Sequence, residues 1–154
     1  FAPFKAGLPD LEAAGRALGR ELVVVNVSTE HDIEPAFAKF VQAKVGALLV
    51  SGSPLIGAKR KAIIALAARH AIPAIYDRRG FVADGGLMSY GTSFKGAYRQ
   101  AGTYAGKILK GAKTSELPIL QPTHFTLAIN SKTAKALGLD VPRAIYFRAD
   151  EVIE

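Results

Sequence analysis

Residues 74–91 read AIYDRRGFVADGGLMSYG, and the fold turns on how that stretch is parsed. Ala74, Ile75 and Tyr76 have the composition of a short buried strand. Residues 77–84 are polar and aromatic and read as a loop, Gly85 and Gly86 interrupt the chain, and a second short strand then runs into a helical pattern. Open α/β sheets bind small ligands at the carboxyl ends of their strands. A loop rich in Tyr, Asp, Arg and Gly directly after Ile75 is therefore where function should be sought, with the rest of the chain as its scaffold.

Working back from this stretch, residues 47–50 predict a second buried strand. Its exit loop is Ser51, Gly52, Ser53 and Pro54, with Ser53 as N-cap and Pro54 at the first position of a helix running to about His70. Further upstream, Thr29 followed by Asp32 is a capping box with a short carboxylate. The core face of the helix that follows would be Ile33, Phe37, Phe40 and Val41, with Pro35 tolerable in the first turn. Leu22 to Val25 form a continuous apolar run, which predicts a strand over residues 21–27 buried on both faces. Leu8, Leu11, Ala14 and Leu18 recur at helical spacing, with Pro9 suited to a first turn and Gly19 placed as the stop. Alternating helices and strands are the rhythm of a parallel sheet built from βαβ crossovers.

Downstream of Gly91 the rhythm changes. Residues 93–109 predict a long helix with Phe94, Tyr98, Tyr104 and Ile108 on its apolar side, closed by Gly111. An extended stretch between Pro118 and Pro122, a strand over residues 125–129, a short helix over residues 131–137 and a tail containing Ile145 to Phe147 complete the chain.

Composition narrows the function classes. The chain has 154 residues, enough for a real core at 49% hydrophobic content. Its net charge of +7 is dispersed, the longest basic run being Lys59, Arg60 and Lys61, which fits a solubilising surface better than a nucleic-acid footprint. Without cysteine, disulfides and thiolate metal sites are excluded. No run of about 18 apolar residues predicts a membrane span. The amino end, FAPFKAGLPD, has no signal-peptide pattern, which is compatible with a cleaved leader.

Chemical motifs are sparse. Gly85 and Gly86 belong to no phosphate-loop pattern and read as a turn or hinge. The Ser51, Gly52, Ser53 loop before a helix is a better anion cradle, because backbone N–H groups and the positive end of the helix dipole point the same way. Tyr76, Phe81 and Tyr90 cluster near the same mouth, and aromatic rings with a polar tip suit a partly apolar organic ligand. Arg78 and Arg79 could pair with a carboxylate or simply be solvated; Asp77 and Asp84 could bind an ammonium group or make turn hydrogen bonds. His31, His70 and His124 lack metal-ligand spacing, and neither a nucleophile elbow nor a Ser, His and Asp set is evident, so no catalytic residue, metal or cofactor is assigned. Asp150, Glu151 and Glu154 read as an exposed acidic tail.

The blocks ALLVSGSP, LAARHAIPAIY, FVADGGLMSYG, the run from AGTYAGKILKG through LAINSKTAKALGL, and RADEVIE together resemble the carboxyl-terminal half of an ABC transporter substrate-binding protein, a family with the periplasmic-binding-protein-like type I fold. The resemblance covers nearly all of the chain. It implies a three-layer αβα parallel-sheet lobe, lacking the first lobe and its own opening strand. Residues 1–85 would be the second lobe, and residues 86–154 the crossover and segments returning toward the first.

The function implied by the resemblance is extracytoplasmic capture of a small organic solute, amino-acid-like or an aromatic or branched carboxylate, by hinge closure between two lobes. The solute would be delivered to an inner-membrane ABC permease from the periplasm, after secretion or lipid anchoring of the precursor. The residues carried over to the ligand site are Ser51, Gly52, Ser53, Pro54, Tyr76, Asp77, Phe81, Gly86 and Tyr90. Alternative readings are a ligand-sensing regulatory domain of the same fold, or a small Rossmann-like or flavodoxin-like enzyme. Without a first lobe, the Phe94, Tyr98 and Tyr104 face would be exposed, and the expectation is either self-association through it or that this is an ordered part of a longer chain.

Overall fold

A computed structural model describes residues 2–121 and 124–154, with side chains from residue 7 onward. The Pro122 end of the extended stretch and Thr123 lie outside the described residues. One five-stranded sheet runs in the order β1-β2-β3-β4-β5, formed by Leu48–Val50, Ala74–Tyr76, Met88–Thr92, Phe125–Asn130 and Glu151–Ile153. β1, β2 and β3 are parallel, β4 is antiparallel to β3, and β5 is parallel to β4. The expected α/β class with a mainly parallel sheet is what the chain adopts. Because β4 runs antiparallel to β3, its start lies beside the carboxyl end of β3, and β5, parallel to β4 and next to it, runs in the same direction from that side of the sheet.

The main hydrophobic cluster lies on one face of that sheet. Helix α2 (Ile33–Gln42) buries Ile33, Ala36, Phe37 and Phe40, and α4 (Arg60–Arg69) buries Ile63, Ile64 and Ala67. Both sets pack with Val50, Ala74, Tyr76 and Phe81. Phe40 meets Phe37 edge-on at 6.0 Å, and His70 stacks on Phe37 at 6.2 Å. Asp32 anchors the entry to α2 by accepting from the N–H groups of Thr29 (2.7 Å) and Ser28 (2.9 Å), which holds its carboxyl below the usual range. Val41, expected in the core face, is exposed, and Ala36 takes the inward position.

Four expectations fail locally. Residues 21–27 form no strand: Leu22, Val23 and Val24 are exposed, and Val25 and Val27 pack on the core from an unpaired segment beside β1. The β-branched pattern there favours extended backbone, but a strand needs ladder partners, and β1 pairs only with β2. Leu49 of β1 is likewise exposed, so this strand is not buried on both faces. The first helix, α1 (Ala2–Ala17), starts earlier than read and carries Pro9 in its interior, since the Ala and Lys residues ahead of Pro9 favour helix; Gly19 ends it at φ +63°. The helix after Ser53 divides at Lys59 into α3 (Pro54–Ala58) and α4. Ser53 does cap α3, its hydroxyl accepting from the Ile56 N–H at 3.1 Å, with Pro54 at the first position.

The stretch that decides the fold is itself more ordered than a loop. Residues Arg79–Ala83 form a short helix, α5, which buries Phe81 and Val82. Two adjacent apolar residues drive this turn under the sheet, and the glycine pair closes it. The N–H of Gly86 donates to the Phe81 carbonyl (2.7 Å) and that of Gly85 to Val82 (3.1 Å), with Gly85 at φ +103°. Thr133 of α7 (Ser131–Ala136) donates its hydroxyl to the Gly85 carbonyl at 2.9 Å, and Asn130 donates its side-chain amide to Val82. The long helix α6 (Phe94–Leu109) is capped by Ser93 and buries none of its residues.

Candidate functional site

A cleft of about 840 Å³ opens at the carboxyl ends of β2 and β3, where the starts of β4 and β5 also converge. Its walls come from α3, from the turn after Tyr76, from the first turn of α6 and from Asp150 and Glu151. Strand direction is what gathers these segments: each contributes the end that carries loop side chains rather than ladder-bound backbone.

Asp77 sits at the centre of the assembly. Its Oδ2 accepts from the Arg78 Nε–H at 3.1 Å, and its Oδ1 is buried with no hydrogen-bond partner among the described residues. Two glycines make room for it: a Cβ on Gly52 would overlap the Asp77 carboxylate, and one on Gly91 would overlap the Asp77 carbonyl oxygen. Arg78 reaches across the cleft with its guanidinium 5.3 Å from the Phe94 ring centre, a cation–π geometry.

Other charges at the rim, Lys95 apart, are already paired. Arg79 donates from Nε and Nη2 to the two carboxylate oxygens of Glu151, both at 2.5 Å. That fork lowers the Glu151 carboxyl below the ordinary glutamate range and raises the guanidinium of Arg79. Arg60 pairs with Asp84. Asp150 accepts from the Leu127 N–H at 2.8 Å and returns its own N–H to the Leu127 carbonyl at 2.9 Å. Asp150 and Glu154 are exposed, as read from sequence, while Glu151 is half-buried, and Asp150 and Glu151 tie the tail to the rest of the fold.

The structure divides the residues singled out from sequence. Pro54, Asp77 and Phe81 line the large cleft. Ser51, Gly52 and Ser53 line a second, smaller one of about 390 Å³, between β1 and residues 25–28. Tyr76 and Phe81 are core residues, each 1% exposed, with their rings stacked at 4.4 Å. Burial pushes the Tyr76 phenol up to about 12. Gly86 is a packing glycine, since a Cβ there would meet the Tyr76 ring at 2.7 Å and the Phe81 carbonyl oxygen at 2.9 Å. Tyr90 is 56% exposed and stacks on Phe125 at 5.7 Å on the sheet face away from Tyr76, the face also exposing Leu49. The aromatic cluster expected at the mouth therefore disperses: of the three, Phe81 lines the cleft, Tyr76 lies in the core and Tyr90 on the opposite face. Its place is taken by Phe94 and Tyr98, whose helical spacing was visible in the sequence but whose direction was not.

Among the described residues no group of His, Asp and Glu is arranged to hold a metal ion, and no helix is long and apolar enough to cross a membrane.

Residues 11–153 match the model of the ABC transporter substrate binding protein family. The chain belongs to that family. No curated protein sequence matches it significantly.

Among solved structures, a conserved domain protein from Vibrio cholerae O1 biovar El Tor is similar with a TM-score of 0.85 at 21% identity, over 96% of this chain and 50% of that one. The ABC domain from Streptococcus pneumoniae, solved in complex with L-Trp, gives a TM-score of 0.85 at 22% identity, over 97% and 51% of the two chains. The ligand-free, open structure of a substrate binding protein with adhesive properties from Clostridium difficile gives 0.69 at 22% identity, over 99% and 51%. The chain thus spans about half the length of the solved proteins it resembles.

Proposed function

We propose that this chain is part of the extracytoplasmic solute-binding component of an ABC importer, and that its strand-end cleft holds one side of a small organic solute. The solute is amino-acid-like, or an aromatic or branched carboxylate. The observation that carries this reading is the composition of the cleft: exposed Phe94 and Tyr98 lie beside Asp77, Arg78 and Lys95 in one concavity of about 840 Å³, a size and chemistry suited to a molecule with an apolar body and a charged end. The L-Trp complex of the pneumococcal neighbour supports the same class of ligand.

On this reading residues 1–85 are the second lobe, residues 86–154 run back toward a first lobe, and the Gly85, Gly86 pair lies at the boundary. Solute contacts to both lobes bias an open-to-closed equilibrium, and the closed form docks on a permease in the inner membrane. The precursor is exported to the periplasm by a signal or a lipid anchor, and the protein has no catalytic role. Pro54 and Asp77 keep their place in the site. Ser51, Gly52 and Ser53 form its edge, and Phe94 and Tyr98 supply the apolar wall. Calorimetric titration of the complete gene product with amino acids and with aromatic and branched carboxylates tests the proposal. Saturable binding that weakens about tenfold in Tyr98→Ala is expected, taking roughly 1–1.5 kcal/mol for a lost aromatic contact; absence of binding across the panel contradicts it.

A further inference from the structure

Of the four cations that line the cleft, one is both held in place and left incomplete. Arg60 bonds to Asp84 through Nε alone, as Arg78 does to Asp77, but among the described residues no aromatic ring lies against its guanidinium; both ends of the Arg79 fork are taken by Glu151. Lys95 is an exposed point charge on a flexible stem near the start of α6. Arg78 differs. Its Nε is fixed by Asp77, its guanidinium lies over Phe94, and its Nη1 lies close enough to α3 that a Cβ on Gly57 would touch it at 3.5 Å. Its two terminal nitrogens make no hydrogen bond among the described residues.

A guanidinium held from three sides in the lining of a cleft of ligand size, with its terminal nitrogens unbonded, is preorganised for a planar anion that accepts two parallel hydrogen bonds. We infer that Arg78 is the specificity-determining residue of the cleft and binds the carboxylate of the solute through Nη1 and Nη2, with the apolar part of the solute lying toward Phe94 and Tyr98. This deepens the solute-binding reading above and rests on it. The ligand class it selects is a monocarboxylate with an apolar or aromatic body, in preference to the matching amide or amine.

The test uses the complete gene product and a matched probe series: L-phenylalanine, 3-phenylpropionate, L-phenylalaninamide and phenethylamine. Wild-type protein is expected to bind the two carboxylates at least about tenfold more tightly than the amide and the amine, as charge-assisted bonds imply. In Arg78→Ala, carboxylate affinity falls about 10- to 100-fold, and the preference for carboxylate over amide collapses toward unity. Arg78→Lys keeps the charge without the fork and recovers only part of that preference. Because the Arg78 side chain is 38% exposed, both variants are expected to keep the wild-type melting temperature within a few degrees. If the carboxylates bind and Arg78→Ala leaves both their affinity and their preference unchanged, the assignment of Arg78 is wrong while the solute-binding reading stands. If wild-type protein binds none of the probes and no other small carboxylate, the reading itself fails and the assignment with it.

Discussion

Gly91 packs its Cα against the backbone carbonyl of Asp77 so closely that any side chain at position 91 would overlap it. The neighbouring relation of Gly52 to the same residue differs in kind, because there the obstacle is the movable carboxylate. Two strand-end glycines thus set the position of one acidic residue, by backbone in one case and by side chain in the other. Gly91→Ala should cost at least about 2 kcal/mol, since β3 or the turn after β2 has to shift. Gly52→Ala should cost about 1 kcal/mol, displacing the Asp77 carboxylate from Arg78. Urea denaturation of both variants, with wild-type protein alongside, checks the order; a Gly91→Ala protein as stable as wild type would contradict the packing.

Tyr76 is a core residue of the fold. Its stacking on Phe81 and its near-complete burial imply that Tyr76→Ala destabilises by about 3–5 kcal/mol, whereas Tyr76→Phe, which keeps the ring, costs about 1 kcal/mol or less. The phenol raised to about 12 has a consequence at alkaline pH. Folding favours the protonated form, so its contribution is complete below the ordinary value of 10.0 and is lost as pH rises from there toward 12. Thermal melting at intervals between pH 9 and 12 should show a loss of stability in that window that is smaller in Tyr76→Phe.

The fork from Arg79 to Glu151 ties the start of β5 to the first turn of α5, 72 residues earlier in sequence. Both partners are largely solvent-accessible, so Glu151→Gln should cost only about 0.5–1 kcal/mol at neutral pH. Because the Glu151 carboxyl is lowered from 4.5, that contribution is present above 4.5 and fades as pH falls through the lower folded value. The stability difference between wild type and Glu151→Gln should therefore vanish in acid, and it should shrink in high salt at pH 7.

Helix α6 exposes Phe94, Tyr98, Ile108 and Leu109 and buries nothing, Tyr98 being 75% accessible. Tyr104 departs from the expected exposed face, since its hydroxyl donates to the Pro118 carbonyl at 2.6 Å. An apolar face of this extent favours association. The isolated chain should form dimers or larger species at micromolar concentration, seen by light scattering. Tyr98→Lys together with Leu109→Lys should shift it toward monomer; a wild-type chain that stays monomeric would show that the face is not sticky.

Much of the architecture was legible because it follows from local rules. The helix over residues 33–42 repeats apolar residues at one face, Ser53 and Pro54 mark the start of α3, and Gly19 and Gly111 adopt the positive φ that ends helices. Residues 21–27 misled because an apolar β-branched run specifies extended backbone without specifying a pairing partner. The site was harder to read. Sequence put Asp77 at a strand end, but could not show that the ring of Phe81 turns inward onto Tyr76 while that of Phe94 faces Arg78. Nor does local sequence contain the link between Arg79 and Glu151, which exists only because β4 and β5 join the sheet beside β3.

The central claim is that the cleft beside Asp77 and Arg78 holds a small organic solute. Native mass spectrometry of the complete gene product as purified, followed by mild denaturation to release anything bound, tests it most directly. The account predicts a mass excess of one small carboxylate per polypeptide, lost on denaturation and lost or reduced in Arg78→Ala. A wild-type protein that carries no excess mass, and gains none when incubated with amino acids or aromatic and branched carboxylates, would contradict it.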